Sequence, residues 1–420
     1  MERYKPISLL NLLLSLSEAM DLAGPEIVQH QQRTAFIAWE LGRAAKLPEG
    51  RLEQLFFAAL LHDIGALSVE EKYSILHEVS EGAFGYHSAR GAALLRKLPF
   101  LGHAADLVGD HHTNWKDREY DLSDNFNLER QILQFADTLE RSIIRGTYIL
   151  YQQKDLTDRM NKMSGTVLHP DVVELFNTLS VREEFWLDLT SRRLYPLLLN
   201  NGPSRRIEVG IDDLFQISGI FANIIDFRSR FTSTHSSGVS ASATMIAKMF
   251  GLTESEVVYM EVAGYLHDLG KLAIPNSILE KNGKLTMDEY ALVRSHTYYT
   301  YSVLNTIGGL QQIAEWGAYH HERLDGSGYP FHCKATELSI GARIMMVADI
   351  FTATAEDRPY RKGMTREEVT RILKDFSSRN LLEKRIVDLV VDNYQEVYSF
   401  MHQKQNAARA FYESQFATNR

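Results

Sequence analysis

The chain contains one pattern of histidine and aspartate residues twice. Members of the second copy follow their counterparts in the first by 205 to 212 residues. Such a repeat requires one supersecondary arrangement to form twice, because equally spaced residues need equally spaced elements to meet. The first copy comprises His30, His62, Asp63, His87, His111, His112 and Asp137, and the second comprises His235, His267, Asp268, His296, His320, His321 and Asp349.

The repeat divides the 420 residues into two parts, each long enough to bury its own core. Between them lies Asn200-Asn201-Gly202-Pro203-Ser204, a turn-rich stretch without an apolar residue except proline. We therefore place the domains at about residues 1–200 and 207–420.

Helical patterns dominate both parts of the chain. Apolar residues recur at a spacing of three to four between Ser242 and Phe250, and Gly251 then fits a helix C-cap. Three threonines are each followed by a glutamate three residues later, the capping-box pattern that begins a helix; these threonines are Thr253, Thr286 and Thr365. Alternating strand patterns are scarce. The sequence predicts an all-α protein made of two tandem helical bundles.

Composition excludes several classes of protein. The net charge of −9, with both signs interleaved, argues against binding a nucleic-acid polymer. A single cysteine, Cys333, excludes a disulfide framework or a thiolate zinc site within the chain, and suits the cytoplasm. No run reaches the ~18 apolar residues of a membrane span, so we expect no membrane association.

Imidazole and carboxylate together suit iron, manganese or zinc. Seven such ligands are too many for one open catalytic ion but fit two ions bridged by a carboxylate. Asp268 is the natural bridge, because it is adjacent to a ligand histidine. Two ions ~3.5–4 Å apart can clamp a phosphate and lower the pKa of a bridging water. The pattern predicts a two-metal hydrolytic site.

Further residues of the second copy favour a phosphate substrate. Lys271 follows Asp268 by three residues, and Arg358 and Arg361 follow Asp349. Cations so near the ligands can bind phosphate, although a solvated lysine or a charged turn is the ordinary alternative. The loop after His321 contains Tyr329, which we expect at the pocket mouth, where an aromatic ring can stack on a base.

Over most of residues 212–400 the chain resembles the HD-GYP phosphodiesterases, a bacterial branch of the HD phosphohydrolases. The resemblance rests on three motifs, of which the second is long and highly specific. They are His267-Asp268-Leu269-Gly270-Lys271, His320-His321-Glu322-Arg323-Leu324-Asp325-Gly326-Ser327-Gly328-Tyr329-Pro330 and Asp357-Arg358-Pro359-Tyr360-Arg361. It implies an all-helical fold, a two- or three-metal site and hydrolysis of cyclic dinucleotides in bacterial signalling.

The resemblance also implies roles for individual residues. The metal ligands are His235, His267, Asp268, His296, His320, His321 and Asp349, with Asp268 bridging and acting in catalysis beside Lys271. Lys271, Tyr329, Arg358 and Arg361 hold the dinucleotide. Phe231 stands where some members carry a glutamate that helps hold a third metal, so we expect two ions, iron or manganese.

The expected reaction opens cyclic di-GMP to its linear form by attack of a metal-bridging hydroxide. Two alternatives remain open. The substrate could be 3′,3′-cyclic GMP-AMP, or the chain could be a non-catalytic, metal-dependent module that senses a nucleotide. We expect the two domains to pack together, while a homodimer is left open.

The first half departs from the family outside the ligand pattern. Ala66 stands in place of Lys271, and His111-His112-Thr113-Asn114-Trp115-Lys116 replaces the glycine-tyrosine-proline loop. Arg141 and Arg145 are predicted on a continuing helix, where the second half has Arg358 and Arg361. We interpret this half as a degenerate, metal-binding or regulatory domain without hydrolysis. A purely structural role for its histidines is the alternative.

Overall fold

The computed structural model describes residues 6–416, apart from 23, 25–26, 77–82, 118–124, 204–206, 229–233 and 358–361. The prediction of an all-α protein is confirmed. Within these described ranges, the strands are two residues long, Ile7–Ser8 (β1) and Glu208–Val209 (β2), and they pair in one small sheet. No described helix is both long and apolar enough to cross a membrane.

The described chain divides into two compact units. The first spans Ser8–Glu208, and the second comprises the described residues from Val209 onward together with those before Ser8. Short 3-10 helices lie at Pro99–Leu101 and Trp115–Asp117 in the first unit. Its α-helices are α1 (Leu9–Asp21), α2 (His30–Ala44), α3 (Glu49–Leu61), α4 (Val69–Leu76), α5 (Ala83–Leu95), α6 (Gly102–Val108), α7 (Asn125–Arg141), α8 (Ile149–Met163), α9 (Pro170–Ser180), α10 (Glu183–Leu189) and α11 (Leu194–Asn201).

Helix α2 is the centre of the first unit. It packs against α3, α7 and α9, and nearly all of its residues from His30 to Gly42 are buried. A helix surrounded on every side loses the polar face that a surface helix keeps. Its first residue, His30, is therefore placed inside the unit rather than at its surface.

The second unit repeats this arrangement with its own set of helices. Its 3-10 helices are Leu269–Ala273, Tyr319–His321 and Ala335–Glu337. Its α-helices are α12 (Ile211–Phe227), α13 (His235–Phe250), α14 (Glu254–Leu266), α15 (Asn276–Leu279), α16 (Met287–Asn305), α17 (Gln311–Ala318), α18 (Ile340–Ala355), α19 (Arg366–Ser378), α20 (Lys384–Asp392) and α21 (Tyr394–Phe416).

Helix α13 occupies the central position and packs against α14, α18 and α21. Small residues allow its backbone to approach α14 closely: a Cβ atom on Gly264 would lie 2.4 Å from Cα of Ser240. The predicted helix boundaries in this unit are confirmed. Thr253, Thr286 and Thr365 each form a capping box with the glutamate three residues later, and Gly251 ends α13 with a φ of +90°.

The same backbone contact recurs beside both histidine clusters. Gly270 lies in the turn after α14, and a Cβ atom there would lie 1.9 Å from the carbonyl oxygen of His296 on α16. In the first unit a Cβ atom on Gly65 would lie 2.0 Å from the carbonyl oxygen of His87. Only glycine lets this turn contact the histidine helix so closely, so these glycines set the distance between two groups of candidate ligands.

Substituting Gly270→Ala should lower the free energy of unfolding of the second unit by about 1–3 kcal/mol, because the new methyl group overlaps backbone. Gly219→Ala is the matched control, since Gly219 lies within α12 and a Cβ atom added there would meet nothing within 4 Å. It should be neutral or stabilise by about 0.5–1 kcal/mol. Urea unfolding of the metal-free proteins measures both values, and equal effects would contradict the close contact at Gly270.

Candidate metal centre

The second unit brings all seven residues of its histidine and aspartate pattern into one buried cluster. Two groups within it have candidate ligand atoms within 4.8 Å of one another: His235, His267 and Asp268 form one, and His296, His320 and His321 form the other. Asp349 joins them, with Oδ1 3.3 Å from Nε2 of His235 and Oδ2 3.8 Å from Nδ1 of His321. The cluster therefore has two halves, each with its own imidazoles.

Asp268 lies between these halves. Its Oδ2 is 3.2 Å from Nε2 of His267, and its Oδ1 is 3.3 Å from Nε2 of His296 and 3.9 Å from Nε2 of His320. Each carboxylate oxygen thus faces a different set of histidines. This is the arrangement that a bridging carboxylate between two ions needs.

Backbone carbonyls orient three of the histidine rings. Nδ1 of His267 lies 2.8 Å from the carbonyl oxygen of Gly264, Nδ1 of His296 lies 2.5 Å from that of Val293, and Nδ1 of His320 lies 2.6 Å from that of Gly317. A carbonyl only accepts, so each Nδ1 carries the hydrogen and each Nε2 presents its lone pair to the cluster. Orientation of this kind fixes the tautomer of a metal ligand.

His235 is oriented by a carboxylate instead. Its Nδ1 lies 3.1 Å from Oε1 of Glu356, which is buried and also accepts a hydrogen bond from Nε2 of Gln405 at 3.1 Å. Sequence reasoning missed Glu356. The only sign of Glu356 in the sequence is that it is acidic and follows Asp349 by a few residues. Nothing in the spacing connects it with His235, 121 positions earlier.

The donor set fits metal ions. Nε2 of His267 and Oδ1 of Asp268 are buried without a hydrogen-bond partner in the described part of the chain. Leaving a buried polar atom unsatisfied costs roughly 1–3 kcal/mol, and a metal ion would remove that cost. Burial and the neighbouring imidazoles lower the pKa of His320 far below its ordinary value, and burial lowers the pKa of His321 to about 3. Both rings are therefore neutral, the form that binds metals.

Two of the four predicted substrate residues, Lys271 and Tyr329, lie at this centre. Nζ of Lys271 is 2.5 Å from Oδ2 of Asp268, so this cation pairs with the central carboxylate. The ring of Tyr329 is 4.9 Å from that of His321 between centroids. Arg358 and Arg361 lie outside the described residues, as does Phe231.

The loop that carries Tyr329 is held by a buried carboxylate. Glu322 accepts hydrogen bonds from the backbone nitrogens of Phe331 at 2.8 Å and Cys333 at 3.1 Å. A Cβ atom on Gly328 would lie 2.4 Å from the backbone nitrogen of Arg323, so the loop returns onto its own start. Together these contacts place Tyr329 beside a candidate ligand.

The first unit assembles its own seven residues in the same way. Oδ2 of Asp63 is 3.3 Å from Nε2 of His30, and Oδ1 is 3.4 Å from Nε2 of His87. The two groups of candidate ligands are His30, His62 and Asp63, and His87, His111 and His112. Asp63 has the same central position as Asp268, and Oδ1 of Asp137 lies 3.6 Å from Nε2 of His62.

Cations bind different carboxylates in the first unit. Nε of Arg141 lies 3.0 Å from Oδ2 of Asp137, and Nη2 of Arg145 lies 2.5 Å from Oε1 of Glu140, whose other oxygen contacts His30. The prediction that Arg141 and Arg145 share a continuing helix is wrong for Arg145. Helix α7 ends at Arg141, and the chain turns through Gly146, which has a φ of +80°.

Comparison with known proteins agrees with this doubled architecture. A family model described as HD domain matches residues 219–381, and a second model of that description matches residues 27–142. The chain belongs to the HD-domain family. Its two units are the first and second HD domains of a tandem pair.

Several curated proteins are similar to this tandem chain. 3′3′-cGAMP-specific phosphodiesterase 1 of Vibrio cholerae is 28% identical over 403 residues, 93% of either chain. The cyclic di-GMP phosphodiesterase response regulator RpfG of Xanthomonas campestris is 38% identical over 174 residues, 40% of this chain and 45% of that protein. A crystal structure of a cyclic GMP-AMP-specific phosphodiesterase from V. cholerae matches with a TM-score of 0.63 at 22% identity, covering 96% of this chain and 98% of that one. At that identity the structural likeness shows the shared fold.

Metal binding to the second HD domain should release a proton from His235. Burial lowers the pKa of this imidazole, but Glu356 and Asp349 outweigh burial and raise it to about 10. The metal-free ring is therefore charged at about pH 7.5, and it must become neutral to bind. Titrating Mn²⁺ into metal-free protein, in two buffers with different ionisation enthalpies, measures the protons released.

Glu356→Gln is the control for this titration, because it keeps a hydrogen-bond acceptor but removes the charge that raises the pKa of His235. The number of protons released should fall by about one. Equal release from the wild type and the variant would show that His235 is already neutral in the metal-free protein.

Proposed function

We propose that the second HD domain hydrolyses a cyclic dinucleotide to its linear form in a metal-dependent reaction. The observation that carries this proposal is the central carboxylate of Asp268, whose oxygens face two histidine groups, with Lys271 and Tyr329 at the same centre. The two ligand groups and the cation suit two-metal hydrolysis of a phosphodiester, and the aromatic ring suits a substrate that carries a base. Relatives named as phosphodiesterases of cyclic dinucleotides support the substrate class.

Two divalent ions, iron or manganese, would be held by the seven ligands. His235, His267 and Asp349 would serve one ion, His296, His320 and His321 the other, and Asp268 both. The ions would supply Lewis acidity and an activated water as nucleophile. Imidazole-rich ligands without sulfur favour such metals over magnesium or calcium, which prefer oxygen alone.

The remaining residues act on the substrate. A new bond forms between phosphorus and the oxygen of water, the bond from phosphorus to a ribose 3′ oxygen breaks, and the proton of water ends on that leaving oxygen. Lys271 supplies positive charge beside Asp268, where charge builds on the phosphate in the transition state. Tyr329 would border the dinucleotide on the side of His321, and Arg358 and Arg361 would hold phosphate.

Two substrates are candidates. Relatives named for cyclic di-GMP match 31% to 44% of this chain. Of three relatives named as 3′3′-cGAMP-specific, two match 93% and 87% of it, across both HD domains, and the third matches 42%. The likeness across both HD domains is the reason to test 3′,3′-cyclic GMP-AMP as a second candidate substrate beside cyclic di-GMP. Comparing kcat/KM for the two compounds decides between them.

Replacing both His267 and Asp268 with alanine should abolish hydrolysis, by at least about 1000-fold, because both ions lose a ligand. The matched control replaces His62 and Asp63, the equivalent pair of the first HD domain, and should retain the reaction. Product formation is followed by chromatography. Hydrolysis that survives complete removal of metal would contradict the proposal.

We propose that the first HD domain holds metal without hydrolysing the substrate. Its ligand cluster supports the first part. Two differences support the second part: Ala66 replaces Lys271, and Arg141 binds an oxygen of the candidate ligand Asp137. Arg141 thus pairs with Asp137, whereas Lys271 of the second domain pairs with the central carboxylate, Asp268. The domain would then regulate or stabilise the enzyme.

Elemental analysis of the purified protein tests the first domain directly. We expect about four ions per chain in the wild type, and about two in Asp63→Ala or in Asp268→Ala, since each variant loses one bridge. The analysis also identifies the metal. If Asp63→Ala carries as much metal as the wild type, the histidines of the first HD domain are structural.

A further inference from the structure

Arg294 lies at the edge of the metal centre of the second HD domain. It is on α16, two residues before the candidate ligand His296. The central carbon of its guanidinium is 4.6 Å from the centroid of the Tyr329 ring, and that ring is 4.9 Å from the ring of His321. A continuous line of contacts therefore runs from a candidate metal ligand through a tyrosine to a guanidinium.

The side chain of Arg294 is half-buried, yet its guanidinium has no hydrogen-bond or ion-pair partner within the described residues. Among the residues that the structure describes, no carboxylate or carbonyl accepts a bond from it. Two other arginines of this unit are used structurally: Arg228 donates to the carbonyl oxygens of Lys271 and Ile274, and Arg343 binds Glu383. A half-buried planar group with five donors and no protein acceptor is suited to a ligand.

We propose that Arg294 recognises a guanine base of the cyclic dinucleotide, by donating to its O6 and N7 atoms. This inference rests on the proposed function and deepens it. Guanine presents two acceptors on this edge, which match the guanidinium fork, whereas adenine presents the N6 amino donor beside N7. Both candidate substrates contain guanine, so this contact serves either one.

Position favours a base over the phosphate that is cut. The ring of Tyr329 separates Arg294 from the ligand His321. Lys271, in contrast, lies directly on Asp268 and is the cation nearest the candidate bridge in the described structure. A phosphate held by the metals would be close to Lys271, and the base attached through its ribose would extend away from them.

The surroundings of Arg294 also suit a base. Tyr290 lies four residues earlier on α16, on the same face of the helix, and its side chain is 49% exposed. Cation–π attraction favours the position of the Arg294 guanidinium over the Tyr329 ring. In this position the N–H groups at the edge of the guanidinium are free to donate. Aromatic rings and arginine planes are the groups on which proteins stack unpaired bases.

The test uses the metal-loaded full chain and Arg294→Ala. Substrates are cyclic di-GMP, 3′,3′-cyclic GMP-AMP and bis(p-nitrophenyl) phosphate, a phosphodiester without a base. We expect kcat/KM for the two cyclic dinucleotides to fall roughly 10- to 100-fold, mainly through KM, as for the loss of one bidentate base contact. The turnover of bis(p-nitrophenyl) phosphate should be unchanged.

Inhibition by mononucleotides separates base recognition from phosphate binding. GMP should inhibit the hydrolysis of bis(p-nitrophenyl) phosphate more strongly than AMP in the wild type, and Arg294→Ala should remove this preference. An equal loss of GMP and AMP binding, or an equal loss of activity on bis(p-nitrophenyl) phosphate, would overturn the inference, because either would indicate phosphate binding or misfolding.

Arg366→Ala is the matched control. Its guanidinium lies 5.4 Å from the ring of Tyr394 on an exposed part of α19, so the substitution removes the same kind of pair away from the cluster. It should leave all kinetic constants unchanged. If the wild type cuts no cyclic dinucleotide, the proposed function fails. If the wild type cuts one and Arg294→Ala cuts it with the same kinetic constants, only the role of Arg294 fails.

Discussion

A buried carboxylate among imidazoles is the interaction on which each domain depends. Asp63 and Asp268 are almost completely buried, and each has oxygens facing two groups of histidines. Removing an ionised carboxylate from water costs several kcal/mol unless opposite charge compensates it. In the second domain His267 and Lys271 outweigh burial and hold the pKa of Asp268 well below its ordinary value. Folding therefore gathers carboxylate oxygens and imidazole nitrogens around one centre, where a metal ion would add further compensating charge.

The two domains use one architecture with different charge placement. In the second domain a lysine lies on the central carboxylate, so positive charge faces the space between the two histidine groups. In the first domain an arginine lies on Asp137, which is at the edge of the cluster, and Ala66 leaves the central carboxylate without that lysine. The two candidate centres therefore differ in which carboxylate is paired with a cation: Asp268 in the second domain and Asp137 in the first.

Much of this could be predicted from local pattern. The repeated spacing predicted which histidines and aspartates would meet, because that spacing reflects helices of similar length in both halves. Capping boxes predicted where α14, α16 and α19 begin, since a threonine and a glutamate within one turn determine the cap.

Contacts set by tertiary packing could not be predicted. Glu356 reaches His235 across the bundle, and Arg294 reaches Tyr329 only because a distant loop folds back at Gly328. No rule of sequence spacing relates the two members of either pair, so neither contact could be predicted from the sequence. The end of α7 at Arg141 was also missed, because Gly146, the residue that favours a turn, lies five positions beyond it.

The hydrogen bonds from histidine rings to carbonyl oxygens have one more consequence. His62, His111, His267 and His320 each follow the end of a helix and donate to the carbonyl oxygen three residues earlier, at 2.6 to 2.9 Å. The last carbonyls of a helix lack partners within it, so these rings are helix caps as well as candidate ligands. A bound ion that draws electrons from Nε2 would make Nδ1–H a stronger donor and so would tighten the cap. Loss of such an ion and fraying of the helix that precedes its ligand would then be coupled steps of one local equilibrium.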